Sequence, residues 1–307
     1  MKARATVKRV AKLVLPYGVV LLAKSARRKS ATVNEKLVEQ RRLNKMFSDL
    51  LSRAKTVDTT TNPDIIISLT SYGKRIESTA PLAIASILCG SERPNRLMLW
   101  LAHGEKPSAK LNKLTKFGLE IGFTENTYSY KKLLPTLRQY PESTIIIVDD
   151  DVTYPEDWLE KTLRVHAKYP DAVLANRARE LTTKNGDIIN YWDWPVLTKN
   201  PKNHHLIFPT GVGGVLYPPH SLSKEVFNQE LFMKISPRGG DDAWFWAMSE
   251  LKGTKRILIE DGFRDVESFE LDRITALSTT ALVSNKERLT RIFEHFPEIE
   301  KNIIIAS

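Results

Sequence analysis

From Asp64 onward the chain alternates short, β-branched apolar runs with segments whose apolar residues recur every three or four positions. Ile65–Leu69 (IIISL), Arg96–Ala102 (RLMLWLA), Thr144–Val148 (TIIIV) and Ala172–Ala175 read as strands. Ile76–Leu88, Ser108–Phe117, Tyr130–Tyr140 and Pro155–Tyr169 read as helices, the last with a proline in its first turn. Strands apolar on both faces and separated by helices predict a mostly parallel central sheet in a three-layer α/β/α sandwich. Ligands of such sheets bind beyond the carboxyl ends of the strands, which directs attention to the residues that follow each one.

Upstream, Val33, Leu37, Phe47 and Leu51, with a second row at Leu43, Met46 and Leu50, predict a helix over 33–55. Thr56 to Pro63 (TVDTTTNP) is polar and aperiodic. The expected organisation is a basic helical arm at 1–56, a linker at 57–63 and a catalytic domain at 64–307.

Charge changes the picture of the arm. The 307 residues carry 46 Lys/Arg and 36 Asp/Glu, a net +10. Residues 1–56 hold 15 of the basic residues and 3 of the acids, so the arm is +12 and the body −2. A nucleic-acid groove across the body is therefore not expected. Within residues 1–30, the apolar run Leu13–Ala23 (LVLPYGVVLLA) lies between basic clusters. It falls short of the roughly 20 residues that span a bilayer. It suits a membrane-interface anchor on anionic lipid, a solvated arm, or the core of a signal peptide interrupted by Pro16 and Gly18. The single cysteine, Cys89, excludes an internal disulfide and a cysteine-based zinc site, and fits a reducing compartment.

Candidate chemistry begins at TIIIVDDDVTYP, where Asp149, Asp150 and Asp151 follow directly on an apolar strand. Like charges at that spacing are costly unless a cation compensates them. In an extended chain Asp149 and Asp151 share one side and Asp150 points away. Two hard oxygen ligands on one side suit Mg²⁺ or Mn²⁺ bridging to a diphosphate. The alternative is a solvated acidic loop that caps the next helix.

The motifs IIISLTSYGKRI, KKL, DDDVTYP, FPTGVGGVLYPP and GGDDAWFW, in this order over roughly residues 63–300, resemble the GT-A-type glycosyltransferases. The likeness is to bacterial family-2-like enzymes of surface-polysaccharide and lipopolysaccharide assembly. It implies a Rossmann-like GT-A fold and a metal-dependent transfer of a sugar from a nucleotide-sugar donor, a UDP-sugar first among them. The acceptor would be a glycan or lipid-linked glycan and the outcome inversion, on the cytoplasmic face of the cell membrane. By this resemblance Thr70, Ser71, Tyr72 and Arg75 hold the donor, joined by Lys132, Asp149 and Asp150, while Asp149 and Asp151 bind Mn²⁺ or Mg²⁺. Asp242 is the expected base for the acceptor hydroxyl, with Asp241 its neighbour or a helix cap.

Gly213 and Gly214 offer close backbone approach to an acceptor sugar, and Trp192 and Trp194 offer indole faces. A glycine hairpin and a tryptophan tucked into the core are the plainer readings of the same residues. Two other functions remain open at this point. A nucleotidyltransferase uses a similar sheet and acidic site, although LTSYGKR is a poor version of its glycine-rich signature. A non-catalytic, membrane-peripheral glycan-binding or scaffold protein would keep the fold alone.

Overall fold

The computed structural model describes residues 38–57, 64–184, 187–264 and 284–306. Packing divides the chain into two units, 1–49 and 50–307. In the first, the described residues belong to α1, a helix over residues 38–51. The basic segment 1–30, with its expected membrane contact, lies outside the described residues. No helix among the described residues is long and apolar enough to cross a membrane.

The second unit is an α/β fold on a seven-stranded sheet. The strands are β1 Ile65–Thr70, β2 Arg96–Ala102, β3 Leu119–Thr124, β4 Thr144–Ile147, β5 Val173–Ala175, β10 Val215–Tyr217 and β11 Arg256–Leu258. Their spatial order is β11-β5-β10-β4-β1-β2-β3. β1 pairs in parallel with β2 and β4, β2 with β3, and β5 with β11. Only β10 runs against its neighbours, between β4 and β5. The apolar runs of β1, β2 and β4 are buried on both faces, as a sheet covered by helices requires. Two short antiparallel pairs complete the strands: β6 Ala178–Glu180 with β9 Ile207–Pro209, and β7 Thr183–Lys184 with β8 Asp187–Ile188.

Among the helices, α2 Ala80–Leu88 is buried at all nine positions, which explains its weak amphipathicity. The others are α3 Ala109–Leu114, α4 Leu134–Gln139, α5 Trp158–His166, α6 Gln229–Ile235, α7 Asp241–Lys252, α8 Asn285–His295 and α9 Pro297–Ala306. Three expectations shift. Residues 73–76 and 128–132 are single turns of 3-10 helix ahead of α2 and α4. Pro155 lies before α5, which begins at Trp158. Strand β3 was not expected at all, because LEIGFT carries a charge and a glycine and only one of its residues is buried.

One consequence of topology positions the site. Val215 of β10 faces Ile147, the last residue of β4, and also Ala175, the last residue of β5. The antiparallel entry of β10 therefore brings the segment before it, Thr210 to Gly214, over the carboxyl ends of β4 and β5. Asp149 and Arg177 follow those same ends. This is the point where strand direction reverses, the usual place for a crevice in an open α/β sheet.

Candidate active site

The three aspartates after β4 separate into two ionic groups. Asp150 turns inward: Ser71 Oγ donates to its Oδ2 at 2.5 Å and Arg75 Nη1 to its Oδ1 at 2.8 Å. Arg75 Nη2 also reaches Asp151 Oδ2 at 3.1 Å. Burial pushes the Asp150 carboxyl up while Arg75 and Ser71 oppose this, and burial likewise opposes the Arg75 charge that Asp150 and Asp151 more than restore. The short, complementary contacts mark an ionised pair locked beneath the loop.

The second group gathers acids from distant parts of the chain. Lys132, at the end of the 3-10 turn before α4, places Nζ 2.6 Å from Asp149 Oδ1 and 3.1 Å from Asp241 Oδ2. The Asp241 contact lacks the angle of a hydrogen bond, and Asp241 Oδ2 is otherwise buried without a donor. Asp241 and Asp242 are the first two residues of α7, where the helix dipole favours carboxylates. The cap position belongs to Gly240, so the reading of Asp241 as a cap gives way to an ion pair with Lys132. Asp242 Oδ1 accepts from the Gly211 backbone N–H at 3.1 Å. A side chain on Gly211 would begin 3.1 Å from Asp242 Oδ1, 3.2 Å from Lys132 Nζ and 3.4 Å from Asp149 Oδ1. The missing Cβ is what lets the backbone close on this cluster.

Electrostatics follow from this crowding. Burial opposes the Lys132 charge, but Asp149, Asp241 and Asp242 together raise its pKa well above the ordinary lysine value. Asp242 is pushed up to about 8, by burial first and Asp241 second, with Lys132 opposing. Asp151 is pushed up to about 7 by burial and then by Asp149, against the pull of Arg75. Tyr154 supports the loop: its hydroxyl oxygen accepts from the Asp149 N–H at 2.9 Å and donates to Val212 O at 3.4 Å.

For a metal, Asp149 and Asp151 supply one oxygen each that has no partner among the described residues, Oδ2 and Oδ1 respectively. No group of three His, Cys, Asp or Glu side chains among the described residues is arranged to hold a metal ion by itself. The two carboxylate oxygens are hard donors of the kind that would hold Mg²⁺ or Mn²⁺.

The other expected site residues fall into place by burial. Thr70 Oγ1 donates to Trp100 O at 2.7 Å, and Ser71 is fully buried on Asp150, so both hydroxyls are occupied in shaping the loop. The Tyr72 ring lies 5.4 Å from the Arg75 guanidinium carbon. Arg75, Lys132 and Asp150 form internal ion pairs. Beside this loop a cavity of about 470 Å³ is lined by Gly73, Ile76, Glu105 and Ser108, among others. Of the lysine pair, Lys131 has no carboxylate in ion-pair contact among the described residues: it is buried and donates to Asn126 Oδ1 at 2.8 Å.

On the acceptor side, Trp192 is exposed, whereas Trp194 is buried against Phe208 with its Nε1 donating to Ile189 O. Trp194 is thus core and not a sugar platform. A Cβ on Gly213 would strike Phe263 O and Arg177, and one on Gly214 would strike the Trp158 ring at 2.6 Å. Gly214 also has φ +92°. Both glycines serve internal packing rather than approach to a ligand. Tyr154, Arg177 and Arg179 were not among the expected site residues, and only tertiary proximity reveals them.

No family model matches the chain, and no curated protein matches it. Solved structures similar to it include the mannosyltransferase PcManGT from Pyrobaculum calidifontis in complex with GDP-Man and Mn²⁺. That likeness has 13% identity and a TM-score of 0.41 over 78% of this chain and 66% of that one. S. aureus TarS 1-349 in complex with UDP-GlcNAc matches at 13% identity and 0.41, over 76% and 71%. The inositol-1-phosphate CTP transferase from T. maritima matches at 10% and 0.39, over 78% and 98%. The site described above is read from this chain's own residues.

Proposed function

We propose that the protein is a metal-dependent, inverting glycosyltransferase that moves a sugar from a nucleotide-sugar donor to a glycan or lipid-linked glycan acceptor. The observation that carries this reading is the meeting of Asp149, Asp241 and Asp242 around one buried ammonium at the sheet's carboxyl edge. In the proposed reaction the acceptor hydroxyl oxygen bonds to the anomeric carbon as the bond from that carbon to the diphosphate oxygen breaks. The hydroxyl proton passes to Asp242, whose raised pKa suits a base working near neutral pH. Gly211 N–H and the start of α7 hold that carboxylate in place. Asp149 and Asp151 would hold Mn²⁺ or Mg²⁺, which supplies Lewis-acid stabilisation of the departing diphosphate. Lys132 keeps Asp149 and Asp241 apart at fixed distances. Basic residues 1–30 would rest on an anionic cytoplasmic membrane face, by their charge.

The test is a melting-temperature panel of UDP-, GDP-, CMP- and dTDP-sugars with and without Mn²⁺, on the wild type and Asp151→Ala. Ligand that binds only the folded state raises the melting temperature. A rise with one nucleotide sugar that needs metal and disappears in Asp151→Ala is expected. Pyrophosphate release from a nucleoside triphosphate and a sugar phosphate would instead identify nucleotidyl transfer. A flat panel would leave only the scaffold.

A further inference from the structure

A surface next to Asp242 carries charge that no site residue uses. Asn176 and Arg177 follow the end of β5 in a bend and Arg179 lies in β6, and both guanidinium charges act on the Tyr191 hydroxyl. Arg177 Nη1 donates to Thr210 Oγ1 at 3.0 Å, and Thr210 directly precedes Gly211, the residue whose N–H holds Asp242. Arg179 Nη1 donates to Trp194 O at 2.5 Å, and its Nε is buried without an acceptor. Neither arginine has a carboxylate within ion-pair distance among the described residues, although both are half-buried. Arg75, by contrast, is neutralised by Asp150 and Asp151. Two partly desolvated guanidinium groups held by neutral acceptors leave forked donors for an anion to complete.

Arg179 sits under an aromatic platform. The Arg179 guanidinium carbon is 5.0 Å from the Tyr191 ring centre and 5.7 Å from that of Trp192. Tyr191 and Trp192 meet edge to face at 5.3 Å. Trp192 is 68% exposed, while the other five tryptophans are at most 8% exposed. Tyr191 also ties the platform to the reaction centre: burial first and the Asp242 charge second push its hydroxyl up, while Arg179 and Arg177 hold it down. An indole left in water beside uncompensated cations, in electrostatic reach of the candidate base, describes a ligand with an apolar sugar face and a negative group.

We infer that the acceptor is an anionic glycan whose phosphate or carboxylate is bound by Arg177 and Arg179 while Trp192 stacks on the adjoining sugar. This rests on the transferase reading for the word acceptor, but the binding surface itself is independent of donor chemistry. Phosphodiester and uronate acceptors share the same recognition, and the probes separate them.

The experiment titrates three oligomers against the fluorescence of Trp192, the one tryptophan in contact with water. They are a glycerol-phosphate oligomer, a galacturonate oligomer and a neutral malto-oligosaccharide of matched length. Expected is quenching by one of the anionic oligomers at least roughly tenfold tighter than by the neutral one, weakening with salt. Arg177→Gln and Arg179→Gln should each lose roughly tenfold in affinity for that anion and leave the neutral oligomer unaffected. Melting temperatures of the variants, and Arg179→Lys as a charge-retaining control that recovers part of the affinity, separate binding from misfolding. Equal affinity for neutral and anionic oligomers, no binding of either anion, or equal loss for both ligands in the glutamine variants would each overturn the inference. The nucleotide-sugar panel on the same preparations keeps the two readings apart. Donor binding without anion binding sinks this inference alone, and anion binding without donor binding sinks the transferase reading alone.

Discussion

Arg75 and Lys132 occupy matching positions in two neighbouring ion clusters, yet the clusters have opposite characters. Each cation is buried and lies between carboxylates, both of them from the triplet after β4 for Arg75 and one of them for Lys132. Around Arg75 the partners Asp150 and Asp151 come from the loop after β4, Ser71 from the loop after β1 donates to Asp150, and the planar fork meets the two carboxylates through separate nitrogens. Around Lys132 the partners Asp149 and Asp241 come from a strand end and a helix start far apart in sequence, and a glycine backbone fills the remaining side. The first cluster closes a loop; the second holds acids together at an edge where Asp149 retains access to solvent. A guanidinium suits a fixed lock, whereas an ammonium is a point charge that tolerates rearrangement of the carboxylates around it.

The comparison breaks most readily at Arg75. Arg75→Ala leaves the Asp150 carboxylate buried without its cation and should cost about 3–5 kcal/mol of stability. Arg75→Lys should recover little of this, because one ammonium does not reproduce the two separated contacts. Urea denaturation of both variants provides the check, and a lysine variant as stable as wild type would refute the lock.

A smaller effect is expected at Lys132. Lys132→Met keeps the volume and removes a charged hydrogen bond, at a cost of about 1.5–3 kcal/mol. Because three acids then face one another without a cation, Mn²⁺ should restore melting temperature in Lys132→Met more than in wild type. If Mn²⁺ raises both equally, Lys132 is not what compensates these acids.

The smallest effect is a pH dependence of stability. Asp242 with a folded pKa of about 8 lies above its ordinary value of 3.8, and Asp151 at about 7 shifts in the same sense. The folded protein therefore keeps protons that the unfolded chain has already released between about pH 4 and pH 8. Their stabilisation is complete below the unfolded pKa, declines as pH rises and is lost above the folded pKa. Asp242→Asn removes the larger share, so its melting temperature should fall less than that of wild type between pH 5 and pH 8.5. Parallel curves for the two proteins would show that Asp242 is not held protonated. In the transfer reaction the same group predicts a rate that rises with pH through the ionisation of Asp242.

What was legible in the chain and what was not divide along the sheet. The half built from β1, β2 and β4 was readable because uninterrupted apolar runs between helices have few other uses. Beyond β4 only β5 was readable, since β10 and β11 are three residues each and β10 enters in reverse. The GVGG segment reads locally as a turn. Only the pairing of Val215 with Ile147 carries Gly211 onto Asp149 and Asp242.

The same holds for individual side chains. Asp150 does turn away from Asp149, but the triplet lies in a turn beyond β4 and Asp151 joins Asp150 on Arg75, so strand alternation alone does not dictate the grouping. Whether Trp192 or Trp194 meets solvent depends on which one finds Phe208 and a carbonyl for its indole N–H, and no local pattern encodes that. Periodicity and β-branching thus determined the class of sheet, its parallel half and the acids at its edge, since these depend on spacing along one strand. The partner of each charge was decided by the fold alone, because ion pairs form through space, and a lysine in a KKL triplet carries no mark of the two distant aspartates it joins.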